Sequence, residues 1–237
     1  MSNWQLRPAR DFGLPFSERL KSHRREPGLV GTLSHAAWLG AVRTYLKAAH
    51  RLEVVGRENI PTASPFIMVG NHTSHLDALS LSASLPRHLG LKSVALAAGN
   101  VFFGNVASAM FAATALNALP IWREETKPED LAFLRLRLHD DQMVFILFPE
   151  GTRARDGVMK RFRPGLGAFV AGTSIPVVPC YLRGGFACWP AKNKLPRPGK
   201  LHLTIGKPVS FETAPNDPHG WKDVAHITET AVRALAP

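Results

Sequence analysis

Apolar residues along this chain alternate between a helical and a strand period, and the switches mark its elements. In "LVGTLSHAAWLGAVRTYLKAAHRL", Leu39, Val42, Leu46 and Ala49 share one helical face, flanked by Trp38 and Tyr45. Arg43, Lys47 and His50 form a stripe beside it. An apolar face bordered by cations and amphipathic aromatics suits a membrane interface. It equally suits a core, with the basic side left in solvent. "LEVVG" and "PFIMVG" then read as strands, a helix starts within "TSHLDALSLSASL", and "KSVALAA" reads as a further strand. "KPEDLAFLRLRLHD" is an amphipathic helix with Pro128 near its start and acids in its first turn. "QMVFILF" is a buried strand and "RPGLGAFVAG" a short helix ended by Gly172. "IPVVPCYL" and "KLHLTIGKPV" are strands, and "WKDVAHITETAVRAL" is a closing helix.

This alternation predicts an α/β fold: a single domain with a mixed, largely parallel sheet flanked by helices. Residues 1–51 form an N-terminal segment of their own. It is a loosely structured basic arm to about residue 28, broken by Pro8, Pro15 and Pro27, followed by the amphipathic helix. Residues 52–237 form the folded domain. Between Lys92 and Arg123 there is no Asp, Glu, Lys or Arg. That length reaches across a bilayer. Asn100, Asn105, Asn117, Gly99 and Gly104 interrupt it, however, and a single crossing would put the two polar motifs described below on opposite sides. The expectation is a buried or membrane-dipping helix, with a strand at "LPIW".

With 45% hydrophobic residues the chain has a core to bury and is not a disordered segment. The formal net charge of +11 points to an anionic partner: nucleic acid, anionic lipid headgroups or phosphorylated substrates. Nucleic acid is not expected, since no zinc-finger spacing and no aromatic-rich RNA-recognition strand is present. Two cysteines, Cys180 and Cys188, give no disulfide framework and suit a reduced, cytoplasmic setting. The first residues show no signal-peptide pattern.

"NHTSHLD", Asn71 to Asp77, follows an apolar strand. If the chain turns back after His72, Asp77 sits beneath its ring. It then fixes the tautomer and stabilises the charged form, leaving the other nitrogen to take a proton from a hydroxyl. In the competing reading Ser74 and Asp77 form a capping box and the carboxylate merely holds backbone N–H groups. A metal site is not expected: on a helix starting at Ser74, His75 and Asp77 stand about 200° apart. His75 reads as structural or solvent-facing. A serine hydrolase is not expected, because no G-x-S-x-G elbow exists.

"FPEGTRAR", Phe148 to Arg155, also follows a strand, where ligands gather in open α/β sheets. Gly151 allows close backbone approach, and Arg153 offers a planar fork suited to phosphate. Glu150, ionised among cations, would orient an arginine or the acceptor. Arg155, Lys160, Arg161 and Arg163 extend the positive field. Arg123, ending "LPIWR", either returns to the same pocket or is a surface cation.

Taken together, "NHTSHLD", "LPIWR", "FPEGTR" and "IPVVPCYL" resemble, in order, the four sequence blocks of the glycerolipid acyltransferase family typified by 1-acylglycerol-3-phosphate acyltransferase. The blocks run from residue 71 to about 182; the first and third together are specific. The resemblance implies a membrane-surface O-acyltransferase of phospholipid biosynthesis, with residues 52–237 as the acyltransferase domain. It implies an acyl-CoA or acyl-ACP (acyl carrier protein) thioester as cosubstrate, no cofactor and no metal. The acceptor would be the hydroxyl of a lysophospholipid such as lysophosphatidate. It implies His72 as general base and Asp77 as its orienting partner. Glu150, Gly151, Thr152, Arg153 and Arg123 would hold the acceptor's phosphate. The location implied is peripheral or monotopic, on the cytoplasmic face of an anionic membrane. Two departures widen the acceptor choice. Trp122 stands where the family's second block has an acid, and "SVALAAGNVFFGN" has alanines where Lys and Glu are common. An acyltransferase for another lyso-lipid, such as lyso-ornithine lipid, and a non-catalytic lipid-binding protein remain the alternatives.

Overall fold

The computed structural model describes residues 8–122 and 127–237. Helices α1 (Phe16–Lys21) and α2 (Gly28–His50) lead into β1 (Glu53–Val55) and β2 (Phe66–Gly70). Then come α3 (Asp77–Ser84), α4 (Arg87–Gly90), β3 (Ser93–Ala98), α5 (Gly99–Phe102), α6 (Val106–Thr114) and β4 (Leu119–Ile121). The second half holds α7 (Pro128–Asp140), β5 (Val144–Leu147), α8 (Gly167–Val170), β6 (Val177–Arg183), α9 (Gly185–Cys188), β7 (His202–Ile205) and α10 (Pro218–Arg233). The strands form one sheet in the order β1-β7-β6-β2-β5-β3-β4. Every pair is parallel except β6 with β7, so the mixed, largely parallel sheet is as expected.

The two-residue period of β2 shows why this sheet has helices on both faces. Ile67 and Val69 enter a cluster with Leu134 and Leu138 of α7, Phe169 of α8 and Val224 of α10. Phe66 and Met68 enter the opposite cluster with Val42 and Leu46 of α2 and Leu81 of α3. All five β2 residues are buried, as a central parallel strand requires. β2 lies between β5 and β6, and the carboxyl ends of all three leave the sheet on the same side. The turns after β2 and β5 carry the two polar motifs, so topology alone brings them side by side.

Three expectations about the flanks are decided here. The Leu39, Val42 and Leu46 face of α2 is buried on the core, so that face is not a lipid face. His50, placed in the basic stripe, is also buried and bonds the Tyr45 hydroxyl at 2.9 Å. Arg43 donates to the carbonyls of Ala83 and Leu85 at the end of α3, leaving Lys47 as the solvated cation of the three. The arm is not loose over the described residues 8–27. Buried Arg25 donates to the carbonyls of Ala113 and Ala118, at and beyond the end of α6. Asp141 also grips Arg10 and Arg137. The uncharged stretch from residue 93 folds as β3, α5, α6 and β4, of which α6 has nine residues. Among the described residues no helix is long and apolar enough to cross a membrane.

Candidate active site

The site begins with an amide clamp. The Asn71 side chain accepts from the N–H of Leu182 (2.8 Å) and donates to its carbonyl (3.1 Å), pinning the end of β2 to β6. His72 then rises over the carboxyl edge of the sheet. The loop after β5 holds its backbone twice: the His72 N–H donates to Glu150 Oε1 at 2.7 Å, and its carbonyl accepts from the Ala154 N–H at 2.7 Å. The imidazole stacks on Phe148, with centroids 4.2 Å apart and planes 14° from parallel. Backbone and ring are thus both fixed before any substrate arrives.

His72 Nδ1 lies 2.9 Å from Asp77 Oδ2. Asp77 is fully buried, and the same oxygen accepts the N–H groups of Thr73 (2.7 Å) and Ser74 (2.8 Å). Its other oxygen accepts the Ser74 hydroxyl at 2.7 Å. The two readings of the sequence, an orienting carboxylate and a brace at the helix start, therefore describe one group. An ionised carboxylate only accepts, so Nδ1 carries the proton and Nε2 presents a lone pair. The His72 side chain is 23% exposed, and Nε2 has no hydrogen-bond partner among the described residues.

Glycine is required behind this pair. A Cβ on Gly185 would lie 2.9 Å from Ser74 Oγ and 3.0 Å from Asp77 Oδ1. Gly185→Ala is expected to push the carboxylate off the His72 ring and lower the rate by about tenfold, with a modest loss of stability. Initial rates and thermal melts on the purified variant check this; an unchanged rate would mean that the pair tolerates the shift.

The acidic-glycine turn packs against the backbone of the histidine motif. Glu150 is buried, and its carboxylate is taken up by backbone: Oε1 by His72 N–H, Oε2 by Lys160 N–H at 3.0 Å. Burial raises its pKa, against the pull of those two bonds. A carboxylate so engaged holds the histidine and the loop. Gly151 adopts φ +76°, and a Cβ there would sit 3.0 Å from Arg163 Nε, so the glycine lets that guanidinium cover the turn. The exposed Thr152 hydroxyl is 3.3 Å from Lys160 Nζ. Arg153 is half-buried, and burial lowers its pKa. It makes no ion pair among the described residues; its guanidinium rests against the His75 ring.

The structure thus brings His72, Asp77, Glu150, Gly151, Thr152 and Arg153 together, with three cations and one open imidazole nitrogen. Arg123 lies outside the described residues. Sequence reasoning missed Asn71, Phe148 and Gly185 and set His75 aside. A signal existed for Asn71, since an asparagine closing a wholly apolar strand needs partners for its amide. None existed for Gly185, whose role depends on a contact across more than 100 residues.

The family model described as acyltransferase matches residues 51–183. A 1-acyl-sn-glycerol-3-phosphate acyltransferase of Pseudomonas aeruginosa is 31% identical over 183 residues, covering 75% of this chain and 65% of that protein. The alpha form from Mus musculus is 26% identical, covering 86% of this chain and 68% of its own length. The chloroplastic protein of Brassica napus is 27% identical over 68% of this chain, which spans 45% of that relative. The crystal structure of the 1-acyl-sn-glycerophosphate acyltransferase from Thermotoga maritima shares the fold, with a TM-score of 0.64 and 23% identity. The match covers 86% of this chain and 78% of that one.

Proposed function

The chain belongs to the acyltransferase family, and from that premise we propose that it transfers a fatty acyl group from an acyl thioester to the hydroxyl of a lysophospholipid such as lysophosphatidate. The observation that carries this is the pairing of an open imidazole with an anion-seeking cation. His72 Nε2 is a base aimed by a buried carboxylate, and Arg153 is a half-buried guanidinium without an ion pair among the described residues. Ala154 bonds the His72 carbonyl, so Arg153 lies one residue from the base. An acceptor held by its phosphate presents its hydroxyl nearby.

In this reading His72 Nε2 takes the hydroxyl proton as the oxygen attacks the thioester carbonyl. The tetrahedral intermediate then collapses, the C–S bond breaks, and the departing thiolate takes the proton back from the imidazolium. Asp77 stabilises the charged ring between the two steps. No protein nucleophile is needed. The donor is acyl-CoA or acyl-ACP. Purified protein given labelled forms of both, with a panel of lyso-lipids, should yield a diacyl phospholipid by mass. Arg153→Gln should raise KM for a phosphate-bearing acceptor by about tenfold. Product formed equally well on acceptors without phosphate would defeat the assignment.

We propose that the chemistry takes place on an anionic membrane surface, with the protein peripheral. Leu29, Val30 and Leu33 at the start of α2, and Met110 and Phe111 of α6, are exposed apolar side chains on packed neighbours. Phe12 and Phe16 are also exposed, on an arm that carries Arg10, Arg19 and Arg24. Leu29→Glu with Leu33→Glu should cut flotation with anionic vesicles by at least about tenfold, each leucine contributing roughly 1.5–3 kcal/mol when buried in lipid. Undiminished flotation would move the membrane contact elsewhere on the molecule.

A further inference from the structure

The His75 ring is held from both sides. Its backbone N–H donates to the Trp189 carbonyl (3.1 Å), and its ring lies 4.9 Å from the Trp189 ring, tilted by 41°. On its other side Arg153 Nη1 lies over the ring face, close to both nitrogens and 2.9 Å from Nε2. His75 is three residues from His72 and follows Ser74, which is tied to Asp77. It therefore shares a fixed loop with the base, while Arg153 comes from the loop after β5.

A half-buried arginine normally lies against a carboxylate. A carboxylate here would aim Arg153 but cancel its charge. The flat face of a neutral imidazole supports the planar guanidinium, limits the directions it can take and leaves the positive charge whole. Burial, then the charge of Arg153, hold the His75 pKa below the ordinary histidine value, so the ring is neutral at pH 7. Asp77 and His72 on its own loop contribute smaller, opposed effects. We infer that His75 is a positioning residue that aims the Arg153 guanidinium at the anionic headgroup of the acceptor, an inference that rests on the acyl-transfer reading above. Trp189 backs the ring and makes the support stiff. Anion selection by this site thus depends on a residue that touches neither the acceptor nor the reacting atoms.

Three variants of the full chain test this. His75→Ala removes the ring that lies between Trp189 and Arg153. His75→Phe keeps a flat ring there. Arg153→Gln removes the cation itself. Each is assayed for KM and kcat with lysophosphatidate, and for equilibrium binding of lysophosphatidate without donor. His75→Ala should raise KM and the dissociation constant by about tenfold while kcat at saturation falls less than about threefold. His75→Phe should keep both constants within about threefold of the parent. If Arg153→Gln weakens binding but His75→Ala does not, the positioning role is wrong and the acceptor assignment stands. If neither variant weakens binding, the phosphate assignment of Arg153 fails and takes the inference with it. If kcat collapses in His75→Ala with KM unchanged, His75 acts on the base instead, and the inference is overturned.

Discussion

His72→Ala is expected to lower acyl transfer by about 10³-fold, within the range attributed to a positioned general base. The substitution removes the nitrogen that takes the hydroxyl proton and leaves the surrounding supports in place. Backbone bonds to Glu150 and Ala154 do not depend on the side chain. Asp77 keeps its contacts with Thr73 and Ser74. Vesicle binding and secondary structure should therefore survive, and the melting temperature should move little. The measurement is an initial rate with labelled acyl-CoA and lysophosphatidate, paired with a flotation assay. A variant retaining more than a tenth of the parent rate would show that the proton leaves by another route. A parallel loss of rate and vesicle binding would point to a damaged fold.

Asp77 calls for two substitutions, because one carboxylate has two jobs. Asparagine keeps a carbonyl oxygen that accepts from Thr73 and Ser74, but it carries no charge to stabilise the imidazolium. Asp77→Asn should thus lower kcat by about 10²–10³-fold with a stability change of about 1 kcal/mol. Asp77→Ala removes the acceptor altogether. Two N–H groups and the Ser74 hydroxyl then lose a buried partner, at roughly 1–3 kcal/mol each before water enters. That variant should be inactive and markedly less stable, by about 2–5 kcal/mol. Rates and chemical-denaturant melts on both separate the roles. If Asp77→Asn works at nearly the parent rate, the carboxylate is a helix-start brace and nothing more.

Much of this was legible in the chain itself. The strand at residues 66–70 has no polar residue, and both its faces turned out to be covered. The helix at residues 128–140 carries Glu129 and Asp130 in its first turn and an apolar stripe, and it packs where that stripe requires. The His72–Asp77 pair was readable because a histidine after a strand and an acid at the next helix start are five residues apart. The antiparallel β6–β7 pairing and the α9 turn were not, since Gly184 and Gly185 mark a bend without saying what packs against it. The bonds of Glu150 were not legible for the same reason. Its partners are the backbone of residues 72 and 160, and backbone groups leave no signature in a sequence. The α2 face was ambiguous by nature, because a core and a lipid surface demand the same pattern of side chains.

Strand β2 pairs only with β5 and β6, and both are made long after it. During synthesis, then, this wholly buried central strand waits with two open edges until residues 144–183 have emerged. His72 at its tip gains its backbone supports only when Glu150 and Ala154 arrive. A stalled nascent chain ending before that point would carry a sticky, chemically silent ribbon.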